Sequence, residues 1–151
     1  MDFVSEHAVR SHTIVVPLPM AEAFRLFEPE GERAWAEGWE PRYRHPPDGH
    51  AERGMVFTTG HGGEETIWTM IRHEPEAGVV EYVRTTPGSR TATVLVQCLQ
   101  FNERLTRVTV IYAMTGLTEA GNAAIRELDE NEFRRYIESW ESAIAKALAK
   151  R

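Results

Sequence analysis

The spacing of hydrophobic and polar positions changes character along the chain. Val9 to Val16 reads as a strand, and Pro17 and Pro19 stop it. Pro19 suits the first turn of a helix, where its missing N–H is not needed. Ala21, Ala23, Phe24, Leu26 and Phe27 then suit a short helix, and Glu30 to Ala36 a second, ended by Gly38. Trp39 to Pro47 reads as a strand breaking into a proline-rich loop. Period two then dominates, punctuated by turns. His61-Gly62-Gly63-Glu64 is a two-residue hairpin signal. His73 to Gly78, Thr86 to Arg90 and Asn102-Glu103-Arg104 supply further turns. Helical spacing takes over from about Glu119 to Lys150, with Thr118 placed as N-cap.

These turns fix a register. A two-residue loop at Gly62-Gly63 and three-residue loops afterwards set Met55 opposite Met70 and Phe57 opposite Trp68. Met70 then faces Tyr82, which faces Val94, which faces Tyr112. Trp68 faces Arg84, then Ala92, then Met114, while Val80, Val96 and Val110 make another row. One mostly apolar face emerges across five strands. A one-residue slip would scatter it, because side chains alternate with period two.

The closing helix carries Ile125, Leu128, Phe133, Tyr136, Ile137, Trp140, Ile144 and Ala147 on one stripe. Asn122, Arg126 and Asp129 interrupt the N-terminal half. A polar group on a buried face costs roughly 1–3 kcal/mol if unpaired. Water, a partner or a ligand is therefore expected at that end. The predicted class is α+β: a curved antiparallel sheet of six or seven strands wrapped around a long C-terminal helix, with two short helices after the first strand.

Composition narrows the function classes. The 151 residues fit one domain, residues 1–151, and a chain of this size buries roughly 68–70% of its unfolded surface without staples. A net charge of −6 and the lack of a basic cluster argue against a nucleic-acid partner. The single cysteine, Cys98, excludes an intramolecular disulfide, which fits a reducing cytoplasm. Met1 to Arg10 carries no apolar signal core, and no apolar run approaches the ~20 residues of a membrane span.

Particular segments resemble a known superfamily. His12-Thr-Ile-Val-Val-Pro17 followed by Pro19-Met-Ala-Glu-Ala-Phe24 carries the likeness. So do Leu26-Phe-Glu-Pro-Glu-Gly31, the approach to Trp39-Glu-Pro41, and the final helix with Trp140. Nearly the whole chain resembles the START-related, birch-pollen-allergen-like (SRPBCC) superfamily. It is most similar to small bacterial members described as polyketide cyclase or lipid-transport proteins. The resemblance implies a helix-grip fold with a cavity between sheet and C-terminal helix. It does not choose among binders, carriers, cyclases and chaperone-interacting proteins, because fold is not function.

No catalytic motif accompanies this pattern. The histidines His7, His12, His45, His50, His61 and His73 are scattered, with no HxxxH or HExxH spacing, so no metal is expected. Cys98 falls on the inward face beside Val96 and Val108 and reads as a small hydrophobe. Gly60-His61-Gly62-Gly63 lacks the strand–loop–helix setting of a phosphate loop, and no cofactor is expected. Trp35 and Trp39 line a cavity mouth or pack the second short helix. Arg84, inward between Trp68 and Ala92, needs a partner. It pairs with Asp129 of the final helix, snorkels to the rim, or meets a ligand.

The expected function is non-covalent binding or transport of a small hydrophobic or amphipathic molecule. Phe57, Trp68, Met70, Tyr82, Val94, Val110, Tyr112 and Met114 would supply walls, and Arg84, Tyr82, Tyr112 and Asp129 orientation. A cyclase or dehydratase using Tyr82, Tyr112 and Asp129 is the enzymatic alternative. A chaperone-interaction module, with a filled core, is the second. Ile71, Leu95 and Ile111 fall on the opposite face near Glu81, and such a patch predicts a homodimer.

Overall fold

The computed structural model describes residues 2–151. Its strands are β1 (His7–Val16), β2 (Arg42–His45), β3 (Val56–His61), β4 (Glu64–Glu74), β5 (Val79–Thr86), β6 (Arg90–Asn102) and β7 (Leu105–Gly116). Its helices are α1 (Met20–Arg25), α2 (Pro29–Glu32), α3 (Glu119–Glu127) and α4 (Glu130–Ala149). The seven strands form one antiparallel sheet in the order β1-β7-β6-β5-β4-β3-β2. This is the six- or seven-stranded sheet expected, with the C-terminal helix packed against it, most closely at β1.

The inward rows form as their alternation demands. Phe57 pairs with Trp68, Trp68 with Arg84, and Arg84 with Ala92. Tyr82, Val94 and Tyr112 make the neighbouring row, and Val80, Val96 and Val110 the next. Two loop lengths differ from expectation without moving these rows. The β4–β5 loop has four residues, Pro75 to Gly78, and the register shifts once between Met70 and Arg72. The β6–β7 loop is the two-residue Glu103-Arg104, with a shift between Gln100 and Asn102. Each bulge absorbs the one-residue difference, so the pairings nearer the strand centres are those of a three-residue loop.

The long helix breaks. Thr118 caps α3 by accepting from Gly121 N, as its side chain suggests. Leu128 then leaves helical geometry with ψ 63°, and Asp129 is extended. The Asp129 side chain accepts from Glu132 N at 2.9 Å and starts α4. Asp129 through Glu132 has the acidic-cap-then-glutamate spacing of a helix start, and it wins over helix continuation.

The other interrupting polar groups find partners nearby. Asn122 is buried, receives Glu6 N at 2.8 Å and donates to the Val4 carbonyl at 2.9 Å. It thereby ties the N-terminal segment across the sheet end. Arg126 is exposed and pairs with Glu6 at 3.0 Å. At the same end, α3 is drawn onto the β5–β6 turn. Leu117 N donates to the Ser89 carbonyl, and a Cβ at Gly121 would lie 1.7 Å from that oxygen. Only glycine permits this approach.

Candidate functional site

A cavity of about 960 Å³ lies between the sheet, α4 and the α1–α2 segment. Its size falls within the usual range for ligand sites. Trp68 and Arg84 build one wall, with Phe57 packed behind them. Phe57 and Trp68 stack with centroids 5.6 Å apart, and the Arg84 guanidinium lies 4.9 Å over the Trp68 ring. Trp68 Nε1 donates to Thr59 Oγ1 at 3.0 Å, which fixes the ring. The opposite wall comes from α4, where Tyr136 meets Trp140 at 5.3 Å and Trp140 meets Trp35 at 5.6 Å.

The segment after α2 closes the cavity through indole anchors. Trp35 Nε1 donates to the Leu26 carbonyl and Trp39 Nε1 to the Pro29 carbonyl, each at 2.8 Å. Trp39 also sits edge-on to Trp68 at 5.6 Å. Both tryptophans thus line the cavity and pack their own segment, so the two roles read from sequence coincide. Close packing holds α2 as well: a Cβ at Gly31 would lie 1.8 Å from the Arg25 carbonyl oxygen.

That packing delivers Glu32 to the cavity, a residue the sequence reading did not single out. Its backbone carbonyl accepts from Trp35 and Ala36, while its carboxyl meets no cation among the described residues. Burial holds that carboxyl well above the ordinary carboxylate range. Tyr112 feels the group too. Burial raises the Tyr112 hydroxyl well above the usual phenol, Tyr136 and Glu32 add to the rise, and Arg84 opposes it. Glu32, Arg84, Tyr112 and Tyr136 therefore share one polar neighbourhood inside aromatic walls.

The residues nominated from sequence divide into four groups. Trp68, Tyr82, Arg84, Val94 and Tyr112 line this cavity. Met114 lines a second cavity, of about 680 Å³, which also touches Arg84 and Tyr112. Phe57, Met70 and Val110 face inward but are buried in packing and line neither cavity. Asp129 lies away from Arg84: it is exposed, and its carboxylate is spent capping α4. Tyr82 has a fixed job, since its hydroxyl donates to the Phe27 carbonyl at 2.7 Å.

Arg84 itself has no carboxylate within ion-pair reach among the described residues. Stacking on Trp68 and exposure to the cavity replace the pair with Asp129 considered from sequence. Cys98 is buried, and burial pushes its thiol up to about 12, far from a thiolate nucleophile. Among the described residues, no three His, Cys, Asp or Glu side chains cluster as metal ligands. No helix among them is long and apolar enough to cross a membrane.

No family model and no curated protein matches the chain. Solved structures do. An uncharacterised protein from Rhizobium leguminosarum matches with TM-score 0.69 at 14% identity, covering 95% of this chain and 97% of that one. The fold they share with this chain is the helix-grip fold. Norcoclaurine synthase from Thalictrum flavum, solved with dopamine and hydroxybenzaldehyde, shares it with TM-score 0.69 at 12% identity, over 97% of this chain and 89% of that one. The Zhui aromatase/cyclase from a Streptomyces species matches with TM-score 0.65 at 15% identity, over 95% and 94%. At such identities the helix-grip likeness establishes architecture, and the chemistry must come from this chain's own cavity.

Proposed function

We propose that this chain binds a small aromatic or otherwise hydrophobic molecule with a polar head, non-covalently, inside the larger cavity. One observation carries the reading. Glu32 and Arg84 face the same aromatic-walled space, and neither has an ionic partner among the described residues. An unpaired arginine and a carboxyl pushed toward its neutral form both leave hydrogen-bonding capacity unspent, and a ligand can satisfy it. Trp35, Trp68 and Trp140 give flat apolar surface, and Arg84 gives a planar fork suited to a carboxylate or phenolate. Titration with N-phenyl-1-naphthylamine, a neutral aromatic fluorophore, tests the reading. Saturable binding at one molecule per chain is expected. Non-saturable, weak partitioning would refute it.

A second reading is enzymatic, and Glu32 favours it. A carboxyl whose protonated form burial favours can donate a proton to a carbonyl or hydroxyl oxygen in the cavity. Arg84 and Tyr112 would then steady the negative charge that develops on a neighbouring oxygen. Two structural neighbours bear the names of a synthase and an aromatase/cyclase, and they lend this cyclase or dehydratase class its support. Glu32→Gln separates the readings: a binder keeps its ligand, whereas an enzyme keeps its ligand and loses turnover. The cavity speaks against an interaction module with a filled core. We also propose self-association through the outer face, where Leu95 pairs with Ile111 and exposed Ile71 marks the bulge. Light scattering at high micromolar concentration should show a dimer, and a monomer would remove that proposal.

A further inference from the structure

The second cavity is not a separate hollow. It shares His61, Arg84, Tyr112, Tyr136 and Ser139 with the first, so the two meet at one junction. Tyr136 stands at that junction, 40% exposed, its ring 6.4 Å from Tyr112 and 5.3 Å from Trp140. Arg84 stands there also, stacked on Trp68 and without a carboxylate partner.

The chemistry differs on the two sides. The first cavity is walled by indoles. The second lies between the β5–β6 hairpin and the α3–α4 break, and its ionisable lining is Arg84, Arg90, Arg135, His61, Glu127 and Glu132. With Glu64 reaching Arg90 from outside the lining, three arginines stand against three glutamates. Arg90 and Arg135 already lean on Glu64 and Glu132 respectively. Arg84 is thus the arginine left to take a new anion. One arginine without a carboxylate, near Glu127, suits a monoanion such as a carboxylate better than a doubly charged phosphate.

We infer that the second cavity is an anion-holding annex of the first, and that the ligand is a two-part molecule. Its apolar ring body fills the indole-walled cavity, and an arm bearing a carboxylate or sulfonate passes Tyr136 to lie against Arg84 in the annex. This rests on the binding reading above and adds where the charged arm goes. The capped break at Asp129 has a use here, because residues on both sides of it, from Ala124 to Arg135, line the annex.

Paired fluorophores test it. N-phenyl-1-naphthylamine is neutral, and 8-anilinonaphthalene-1-sulfonate adds a sulfonate to the same ring framework. Ala124 lines only the annex, half-buried on α3. Ala124→Trp should weaken the sulfonate about tenfold and the neutral compound by less than about twofold. Arg135→Glu, on an exposed residue where folding is not at issue, should weaken the sulfonate several-fold and spare the neutral compound. Equal losses for both compounds in both variants, or no loss for either, would overturn the annex while leaving the first cavity as a binding site. Failure of the neutral compound to bind the unaltered protein would overturn the annex together with the reading beneath it.

Discussion

The Arg84 guanidinium carbon lies 4.9 Å above the ring of Trp68, and the two residues are register partners across β4 and β5. Stacking holds the arginine over the cavity with its donors unspent. A cation over an indole face is worth about 0.5–2 kcal/mol, too little to justify a half-buried charge alone. Arg84→Met should therefore weaken binding of an anionic aromatic ligand by roughly 1.5–3 kcal/mol, the range for a charge-assisted hydrogen bond. A neutral compound of the same shape should lose much less. Calorimetric titration of both compounds decides the matter, and equal losses would make Arg84 a structural residue.

Glu32 gives a pH test. Its folded-state carboxyl titrates above the ordinary glutamate value because burial disfavours the charge. Below the ordinary value it is neutral whether folded or unfolded, and nothing is lost. As pH rises past that value, the unfolded chain releases a proton that the folded chain retains, and stability falls. Glu32→Gln does not titrate. Its melting temperature relative to the parent should rise as pH climbs through the range above the ordinary glutamate value of about 4.3. Parallel curves across that range would contradict the assignment.

Asp129 separates a cap from a ligand contact. Its carboxylate accepts from Glu132 N at 2.9 Å and reaches no cavity. Asp129→Ala should cost about 0.5–2 kcal/mol of stability, as loss of a helix cap does. Denaturant unfolding measures that loss. Affinity for either naphthalene fluorophore should stay within about twofold of the parent.

Asn122 secures the N-terminal segment at the end of β7. Replacing it with alanine would strand Glu6 N and the Val4 carbonyl. The expected cost is about 1–3 kcal/mol, the penalty for unpaired polar groups. Hydrogen exchange should show faster exchange at Glu6 in Asn122→Ala than in the parent.

Much of this arrangement is legible in the sequence alone. The row Phe57–Trp68–Arg84–Ala92–Met114 follows from period-two alternation, and two bulges keep its register although the β4–β5 and β6–β7 loops differ from three residues. The sequence does not show depth. Phe57, Met70 and Val110 face inward like Trp68 but lie under packed neighbours, because the helices above decide which inward residues meet open space. The helix break hid behind a stripe that runs on through Ile125, Leu128 and Phe133, although Asp129 and Glu132 carried the capping signature. Glu32 escaped notice for a different reason. Its position depends on α2 lying against the Arg25 carbonyl through Gly31, a tertiary contact with no local period.

The central claim is that the space beneath Trp68 holds a ligand. Native mass spectrometry of the protein mixed with N-phenyl-1-naphthylamine tests this most directly, with Ala143→Trp alongside. Ala143 is half-buried on α4 and lines the larger cavity, so tryptophan there should fill it. The account predicts a one-to-one complex for the parent and none for the folded variant. A parent that forms no complex, or a folded variant that binds as well as the parent, would contradict it.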